Sequence, residues 1–106
     1  MNFRTTKYFD KDTKRLAKKY PSLIADLKDL RVQLTENPYL GTPLGGNTYK
    51  VRMAITSKGK GKSGGARVIT CVKIVDDAIH LLTIYDKAEI SNISDEYLEE
   101  LKKLAE

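Results

Sequence analysis

The hydrophobic residues in the first third of the chain recur with a helical period. Residues 9–20 carry apolar positions three or four residues apart, and Lys and Arg occupy the remaining faces. Pro21 ends this pattern because its ring removes a backbone donor and suits the first turn of a new helix. An apolar stripe follows with helical spacing: Leu23, Ile24, Leu27, Leu30 and Leu34. We therefore predict two helices that form a hairpin.

After the hairpin the hydrophobic period changes from about 3.6 to 2. Residues 41–47 are rich in Gly, Pro and Asn and are predicted to form a loop. Apolar residues then alternate with polar ones along a strand: Tyr49, Val51, Met53 and Ile55. Residues 66–75 and 78–85 are rich in β-branched side chains, and Asp76 and Asp77 form the turn between them. The pattern predicts an antiparallel meander of three strands.

The two ends of the chain complete the predicted fold. Residues 2–7 have the composition of a short first strand, and residues 94–106 have the charge pattern and apolar stripe of a last helix. The predicted order is β-α-α-β-β-β-α, an α+β fold in which the helical hairpin packs on a small antiparallel sheet. At 106 residues the chain is expected to form a single domain, residues 1–106.

Composition limits the location and the metal chemistry of the protein. No run approaches the roughly 20 apolar residues of a membrane span, and the N-terminus lacks the apolar segment of a secretory signal. We therefore expect a cytoplasmic protein that does not associate with membranes. Cys71 is the only cysteine and His80 the only histidine, so an internal disulfide and a Cys/His zinc site are both excluded. We expect neither a metal nor a cofactor.

The basic residues are concentrated in the middle of the sequence. Residues 37–75 contain seven Lys and Arg and no Asp or Glu, although the whole chain has 14 acidic residues. Such a segment is typical of a surface that binds phosphates. The alternative is a basic, solvated face that only keeps the protein soluble.

A Gly- and Lys-rich loop separates two of the predicted strands. Residues 57–65 read Ser-Lys-Gly-Lys-Gly-Lys-Ser-Gly-Gly, which formally contains a G-x-G-x-x-G pattern. A dinucleotide site requires this pattern between a strand and a helix, whereas here a strand follows. We instead predict a flexible hairpin loop whose lysines bind RNA: Lys58, Lys60 and Lys62. The alternative is a solvated loop without a ligand.

Three cations are predicted to meet on one face of the sheet. Lys50 and Arg52 are two residues apart on a strand and so point to the same side, and Arg67 begins the next strand. Like charges this close repel unless an anion lies among them, such as a phosphodiester or a carboxylate of a partner protein. The alternative is that these cations are solvated and pair with Asp or Glu elsewhere in the chain. Because His80 has no second histidine to work with, any acid–base chemistry must come mainly from Lys, Arg and Tyr.

Two segments give the sequence a family resemblance. Residues 57–69, SKGKGKSGGARVI, and residues 81–91, LLTIYDKAEIS, resemble parts of HigB-type toxins, and nearly the whole chain resembles the RelE/HigB branch of the RelE/ParE toxin superfamily. The resemblance implies a compact RelE-like fold similar to microbial ribonucleases. It also implies the toxin of a type II toxin–antitoxin pair, an endoribonuclease that cuts mRNA in the ribosomal A site without a metal and so inhibits translation. The implied partners are mRNA, the ribosome, and an antitoxin with which the toxin forms a hetero-oligomer.

The resemblance also assigns candidate catalytic residues. Lys50, Arg52 and Arg67 match basic positions of RelE-type toxins, and Lys87, with Tyr85 two residues earlier, falls near a basic position after the last strand. In the implied mechanism a ribose 2′-hydroxyl attacks the adjacent phosphate, and the three strand cations stabilise the transition state. The resemblance assigns no residue as the general base. Two alternatives stay open: a ParE-like inhibitor of DNA gyrase, and a non-catalytic module that binds RNA or an antitoxin.

Overall fold

The N-terminal third of the chain folds as the predicted helical hairpin. In the computed structural model, which describes residues 1–105, helix α1 spans Lys7–Lys19 and helix α2 spans Leu23–Glu36. Thr6 caps α1, since its side-chain oxygen accepts a hydrogen bond from the Phe9 N–H at 3.1 Å. The four leucines of the predicted α2 stripe are buried, which confirms that part of the helix face. Ile24 of the same stripe is instead 47% exposed, because it lies roughly 100° around the helix from Leu23. Within residues 1–105, every helix is too short or too polar to span a membrane.

The hairpin packs on one face of a five-stranded sheet. Its strands in chain order are β1 (Asn2–Thr5), β2 (Thr42–Gly45), β3 (Thr48–Met53), β4 (Ala66–Lys73) and β5 (Ala78–Asp86). Their order across the sheet is β1-β5-β4-β3-β2. The β3-β4-β5 part is the predicted antiparallel meander, and the predicted α+β class is confirmed.

Two features of the sheet correct the prediction. First, β1 pairs with β5 in parallel, so the sheet is mixed and not purely antiparallel. This pairing joins Asn2 to Ala78, and no local pattern signals a contact between segments so distant in the sequence. Second, β2 lies within the segment predicted as a loop. Pro43 and the neighbouring glycines are compatible with a strand there because β2 is short and forms the edge of the sheet.

Helix α3 (Asp95–Leu104) covers part of the sheet face opposite the hairpin. Its Leu98 and Leu101 belong to a second hydrophobic core that includes Cys71 of β4. Cys71 is 2% exposed, as expected for a small buried hydrophobic residue. Glu106, the last residue of the predicted single domain, lies outside the described residues.

The alternation along β3 and the residues that follow it separates apolar from basic side chains. Val51, Met53 and Ile55 are buried in the core beneath the hairpin. Lys50 and Arg52 alternate with them and leave the sheet on the opposite side. The strand thus holds its cations away from the main core.

Candidate active site

Arg52, Arg67 and Tyr85 form one row across three strands. Arg52 pairs with Arg67 between β3 and β4, and Arg67 pairs with Tyr85 between β4 and β5. Residues directly opposite each other on adjacent strands share a face of the sheet, with Cβ atoms about 5 Å apart. Lys50 lies on the same face, two residues before Arg52. The structure therefore brings the three predicted cations together, and we call Lys50, Arg52 and Arg67 the basic face.

Arg67 is the buried member of the basic face. Arg67 is only 5% exposed. One of its guanidinium nitrogens donates to the carbonyl oxygens of Lys62 at 2.9 Å and of Ala66 at 3.0 Å. Among residues 1–105, no Asp or Glu lies at ion-pair distance from it. Burial lowers the pKa of Arg67, and the nearby Arg52 lowers it further, partly offset by Tyr85. An anion at this position would relieve both effects.

Lys50 and Arg52 line a concave surface at the edge of the sheet. Together with Lys62 they contribute to a cavity of about 190 Å³ next to β2. Arg52 and Lys62 also line an adjoining cavity of about 140 Å³, which reaches Asp26 on α2. Within the described chain, none of the three cations forms an ion pair. The interpretation of the strand cations as partners of the chain's own carboxylates therefore has no support in these contacts.

Tyr85 is packed beside Arg67 and not exposed at an edge. Its residue is 3% exposed and lies in the second core with the leucines of α3. Burial raises the pKa of the Tyr85 phenol, and Arg67 opposes this shift. The phenol is therefore neutral at physiological pH, so that it acts as a hydrogen-bond donor and is a poor base.

Lys87 follows β5 and is joined to the Gly- and Lys-rich loop through its backbone. Its N–H donates to the Gly65 carbonyl oxygen at 3.1 Å, and its side chain is exposed. This hydrogen bond places the segment after β5 against the end of the loop that precedes Arg67. Lys87 follows the last strand as the resemblance implied, and its catalytic role stays a prediction.

The three loop lysines have different environments. Lys60 and Lys62 are exposed. Lys58, the last residue of a 3₁₀ turn (Thr56–Lys58), instead lies 2.8 Å from the Asp86 carboxylate, with the two side chains 10% and 0% exposed. Asp86 raises the pKa of Lys58 mainly by accepting this hydrogen bond. The positive charge of Lys58 is thus already compensated by Asp86 inside the protein, whereas Lys60 and Lys62 have no such ion pair within the described residues.

The loop predicted to be flexible begins with a firm attachment to the hairpin. Asp26 of α2, only 7% exposed, accepts hydrogen bonds from the backbone N–H of Thr56 at 2.9 Å and from its hydroxyl group. Ser22 accepts from the Ser57 N–H at 2.8 Å and donates to Asp26 at 2.8 Å. These hydrogen bonds attach the start of the predicted loop to the hairpin.

Sequence reasoning missed the two buried carboxylates that hold the loop, Asp26 and Asp86. A usable signal existed, because a segment with seven basic and no acidic residues must find any carboxylate partner elsewhere in the chain. Asp26 also occupies a position on the buried side of the leucine-rich α2, where an unpaired carboxylate is costly. Neither signal identifies which loop residues the two carboxylates contact, because these contacts depend on the tertiary structure.

His80 lies away from the basic face. It pairs with Cys71 on β4, four residues beyond Arg67, which is a distance of roughly 13 Å along a strand. Burial lowers its pKa, and the cations Arg4 and Lys73 lower it further. His80 is therefore separate from the candidate site.

Comparison with known proteins accounts for nearly the whole chain. The profile of a family described as the RelE toxin of the RelE/RelB toxin–antitoxin system matches residues 3–106. The crystal structure of the isolated RelE toxin of E. coli superposes with a TM-score of 0.62 and 16% sequence identity, covering 96% of this chain and 96% of that one. That likeness shows a shared fold, and the profile match shows the family. The chain therefore belongs to the RelE family of toxins from toxin–antitoxin systems.

Proposed function

We propose that this protein is a ribosome-dependent endoribonuclease that cuts mRNA in the A site and thereby stops translation. The observation that carries the proposal is the pairing of Arg52 with Arg67 on a face where the described chain offers neither of them a carboxylate. Two arginines directly opposite each other on adjacent strands offer two positive charges to a phosphodiester and to its additional transition-state charge. Family membership supports the same function, since the matched family consists of toxins.

The proposed reaction is a transesterification that needs no metal. The 2′-oxygen attacks phosphorus and the bond from phosphorus to the 5′-oxygen breaks, which gives a 2′,3′-cyclic phosphate and a 5′-hydroxyl end. One proton leaves the 2′-hydroxyl and one is delivered to the 5′-oxygen. Lys50, Arg52 and Arg67 stabilise the charge that accumulates on the phosphate oxygens. The neutral hydroxyl of Tyr85, adjacent to Arg67, donates to Asn92 Oδ1 at 3.5 Å, and in the proposed reaction it turns from this long contact to donate to the same phosphate group.

Positioning of the mRNA by the ribosome compensates for the lack of a histidine base at the site. His80 is too far from Arg67 to act on the same phosphate, so no histidine serves as general base. Holding the 2′-hydroxyl in line with the scissile bond accounts for a large part of the barrier in such reactions. We therefore propose that the ribosome aligns the substrate and that the basic face stabilises the charge of the transition state.

The proposal includes two kinds of contact outside the reacting atoms. Exposed Lys60 and Lys62 bind the RNA backbone, and Lys87 approaches it from the segment after β5. Lys58 is left out of this set because its ammonium is paired with Asp86. An antitoxin partner is proposed to form a hetero-oligomer with the toxin and to keep it inactive.

Primer extension on a defined mRNA tests the proposal. The mRNA is incubated with wild-type protein, with Arg67→Ala, and with Arg4→Ala as a matched control, each with and without programmed ribosomes. Arg4 is an exposed arginine of the same sheet, paired with His80 at the other side. We expect new 5′ ends only with ribosomes, from the wild type and Arg4→Ala, and loss of them in Arg67→Ala.

Three outcomes contradict the proposal. Cleavage of free RNA shows that the site carries its own acid and base and does not depend on the ribosome. Cleavage by a folded Arg67→Ala protein removes the basic face from the mechanism. A protein that arrests growth but does not cut RNA is not a nuclease, and an assay of DNA supercoiling by gyrase then tests the ParE-like alternative.

A further inference from the structure

Asp86 is a fully buried carboxylate at the end of the strand that carries Tyr85. It is 0% exposed, yet it lies between Tyr85 of the row and Lys87 of the following segment. Its register partner is Ala66, the residue before Arg67. Because side chains alternate along a strand, Asp86 points to the hairpin face, behind the basic face.

Three parts of the chain donate hydrogen bonds to this one carboxylate. The Tyr20 hydroxyl comes from the end of α1, the Lys58 ammonium from the start of the loop at 2.8 Å, and the Ala88 N–H from the segment after β5 at 3.0 Å. Burial alone would raise the pKa of Asp86, but these hydrogen bonds lower it overall. Asp86 is therefore held as a charged carboxylate in the interior.

The other end of the loop is fixed by neighbours of Asp86. The Gly65 carbonyl oxygen accepts from the Lys87 N–H at 3.1 Å, and the Lys62 carbonyl oxygen accepts from Arg67 at 2.9 Å. Residues 59–61 thus lie between the Lys58 contact with Asp86 and the Lys62 contact with Arg67, whose neighbour Ala66 is the register partner of Asp86. Asp86 is therefore connected both to the loop, through Lys58, and to the row that contains Arg67 and Tyr85, through the strand pairing.

From this arrangement we infer that Asp86 is a positioning residue for the candidate active site. Through Lys58 it sets where the loop leaves the hairpin, and so where Lys60 and Lys62 stand relative to Arg52 and Arg67. It makes no contact with RNA itself. The inference rests on the proposed nuclease function for its catalytic readout, whereas the ordering of the loop is measured independently of cleavage.

The test compares Asp86→Asn with Lys58→Met, with the double variant, and with Glu89→Gln as a matched control. Tyr20 donates to one oxygen of Asp86, and Lys58 and Ala88 donate to the other. Asn keeps one acceptor oxygen, which can serve Ala88, turns an NH2 group towards the Tyr20 hydroxyl, and removes the charge that holds Lys58. Glu89 also links α1 to the segment after β5, through Arg15 at 3.0 Å, but at the surface. Single-turnover cleavage of ribosome-bound mRNA gives the saturating rate and the half-saturating protein concentration. Hydrogen exchange reports the protection of residues 56–65.

We expect Asp86→Asn and Lys58→Met each to lower the saturating rate at least about tenfold, because sub-ångström misplacement of catalytic groups is costly. The half-saturating concentration should change less than the rate, and amides of residues 56–65 should exchange faster. The double variant should be no slower than the slower single variant, because both changes remove the same contact, the ion pair between Lys58 and Asp86. Glu89→Gln should match the wild type in all three measurements.

The outcomes separate positioning from a merely structural role. A lower melting temperature with unchanged saturating rate and unchanged loop exchange overturns the inference. If Asp86→Asn does not fold, Lys58→Met carries the same expectation and is judged in the same way. If the wild type itself does not cut RNA, the proposed function fails, whereas faster loop exchange in Asp86→Asn but not in Glu89→Gln still establishes that Asp86 orders the loop.

Discussion

Arg52 and Arg67 face each other directly across the β3-β4 ladder, two guanidinium groups at a position where strands usually pair opposite charges. The chain supplies no carboxylate at ion-pair distance to either one in the part that the structure describes. The arrangement lowers the pKa of the buried Arg67 and leaves the pair unfavourable until an anion binds. Stability and activity are therefore expected to oppose each other at this site.

Arg52→Ala is expected to make the protein slightly more stable while it removes cleavage. Directly opposite like charges destabilise a sheet by roughly 0.2–1 kcal/mol, so the free energy of unfolding should rise by about 0.5 kcal/mol at low salt. Urea unfolding measures this change, with Arg4→Ala as the control. A loss of more than about 1 kcal/mol in Arg52→Ala would show that the guanidinium makes a stabilising contact.

Inorganic phosphate is expected to raise the melting temperature of the wild type more than that of Arg52→Ala. A ligand that binds only the folded state stabilises it in proportion to the logarithm of its concentration. Removal of one of the two arginines weakens that site. Thermal melts in a phosphate titration at constant ionic strength make the comparison, and equal shifts in the two proteins would mean that phosphate binds elsewhere.

Loss of the Lys58–Asp86 pair is expected to cost far more stability than loss of a surface pair. Asp86→Ala should lower the free energy of unfolding by roughly 3–5 kcal/mol, because it leaves an ammonium with little access to water unpaired. Glu89→Ala, which removes the exposed pairs to Arg15 and Lys19, should cost less than about 1 kcal/mol. Both values come from urea unfolding at neutral pH, and equal costs would show that burial of the pair is unimportant.

The same pair predicts a defined dependence of stability on pH. The pKa of Asp86 is lower in the folded protein, so its contribution is present above the unfolded pKa of about 3.9 and is lost as pH falls through the folded pKa. The pKa of Lys58 is raised, so its contribution is present below about pH 10.4 and is lost as pH rises through the folded pKa. The stability difference between wild type and Asp86→Asn should be constant from about pH 5 to 9 and shrink at more acidic pH. A difference that already shrinks near pH 6 would contradict the lowered pKa.

Gly65→Ala is expected to damage the site more than Gly61→Ala. A Cβ at Gly65 would overlap the Met53 carbonyl oxygen, where the end of the loop passes against the backbone of β3. Gly61 has φ of +62° but no atom within 4 Å of its Cβ position, so alanine there costs only about 1–2 kcal/mol of backbone strain. Unfolding and cleavage measurements on both variants test this order. A Gly65→Ala protein with wild-type activity would show that the loop can shift without harm to Arg67.

Local periodicity was sufficient to predict most of the fold. The leucine stripe of α2 and the alternation along β3 depend on residues close in sequence, and both are found in the structure. The parallel pairing of β1 with β5 and the edge strand β2 were not predicted. The first depends on a contact across most of the chain, and the second is stabilised by its neighbour despite a composition typical of a loop.

The candidate site was predictable only in part, for a related reason. Alternation places Lys50 and Arg52 on one face, and the register with β4 adds Arg67. The difference between Lys58 and its neighbours Lys60 and Lys62 is invisible in a repeat of Gly and Lys. It arises from Asp86, which lies 28 residues later than Lys58 in the chain.

In the proposed function, the absence of acidic residues from residues 37–75 keeps carboxylates of this segment from competing with the phosphate at the candidate site. A carboxylate in the exposed part of the loop would be a tethered competitor of the phosphate, with an effective concentration on the order of millimolar set by the short connection. Dissolved anions would have to reach that level to compete equally. One Glu in place of Lys60 or Lys62 would therefore act as a built-in inhibitor, whereas the same residue on the outer face of α3 would have no such effect.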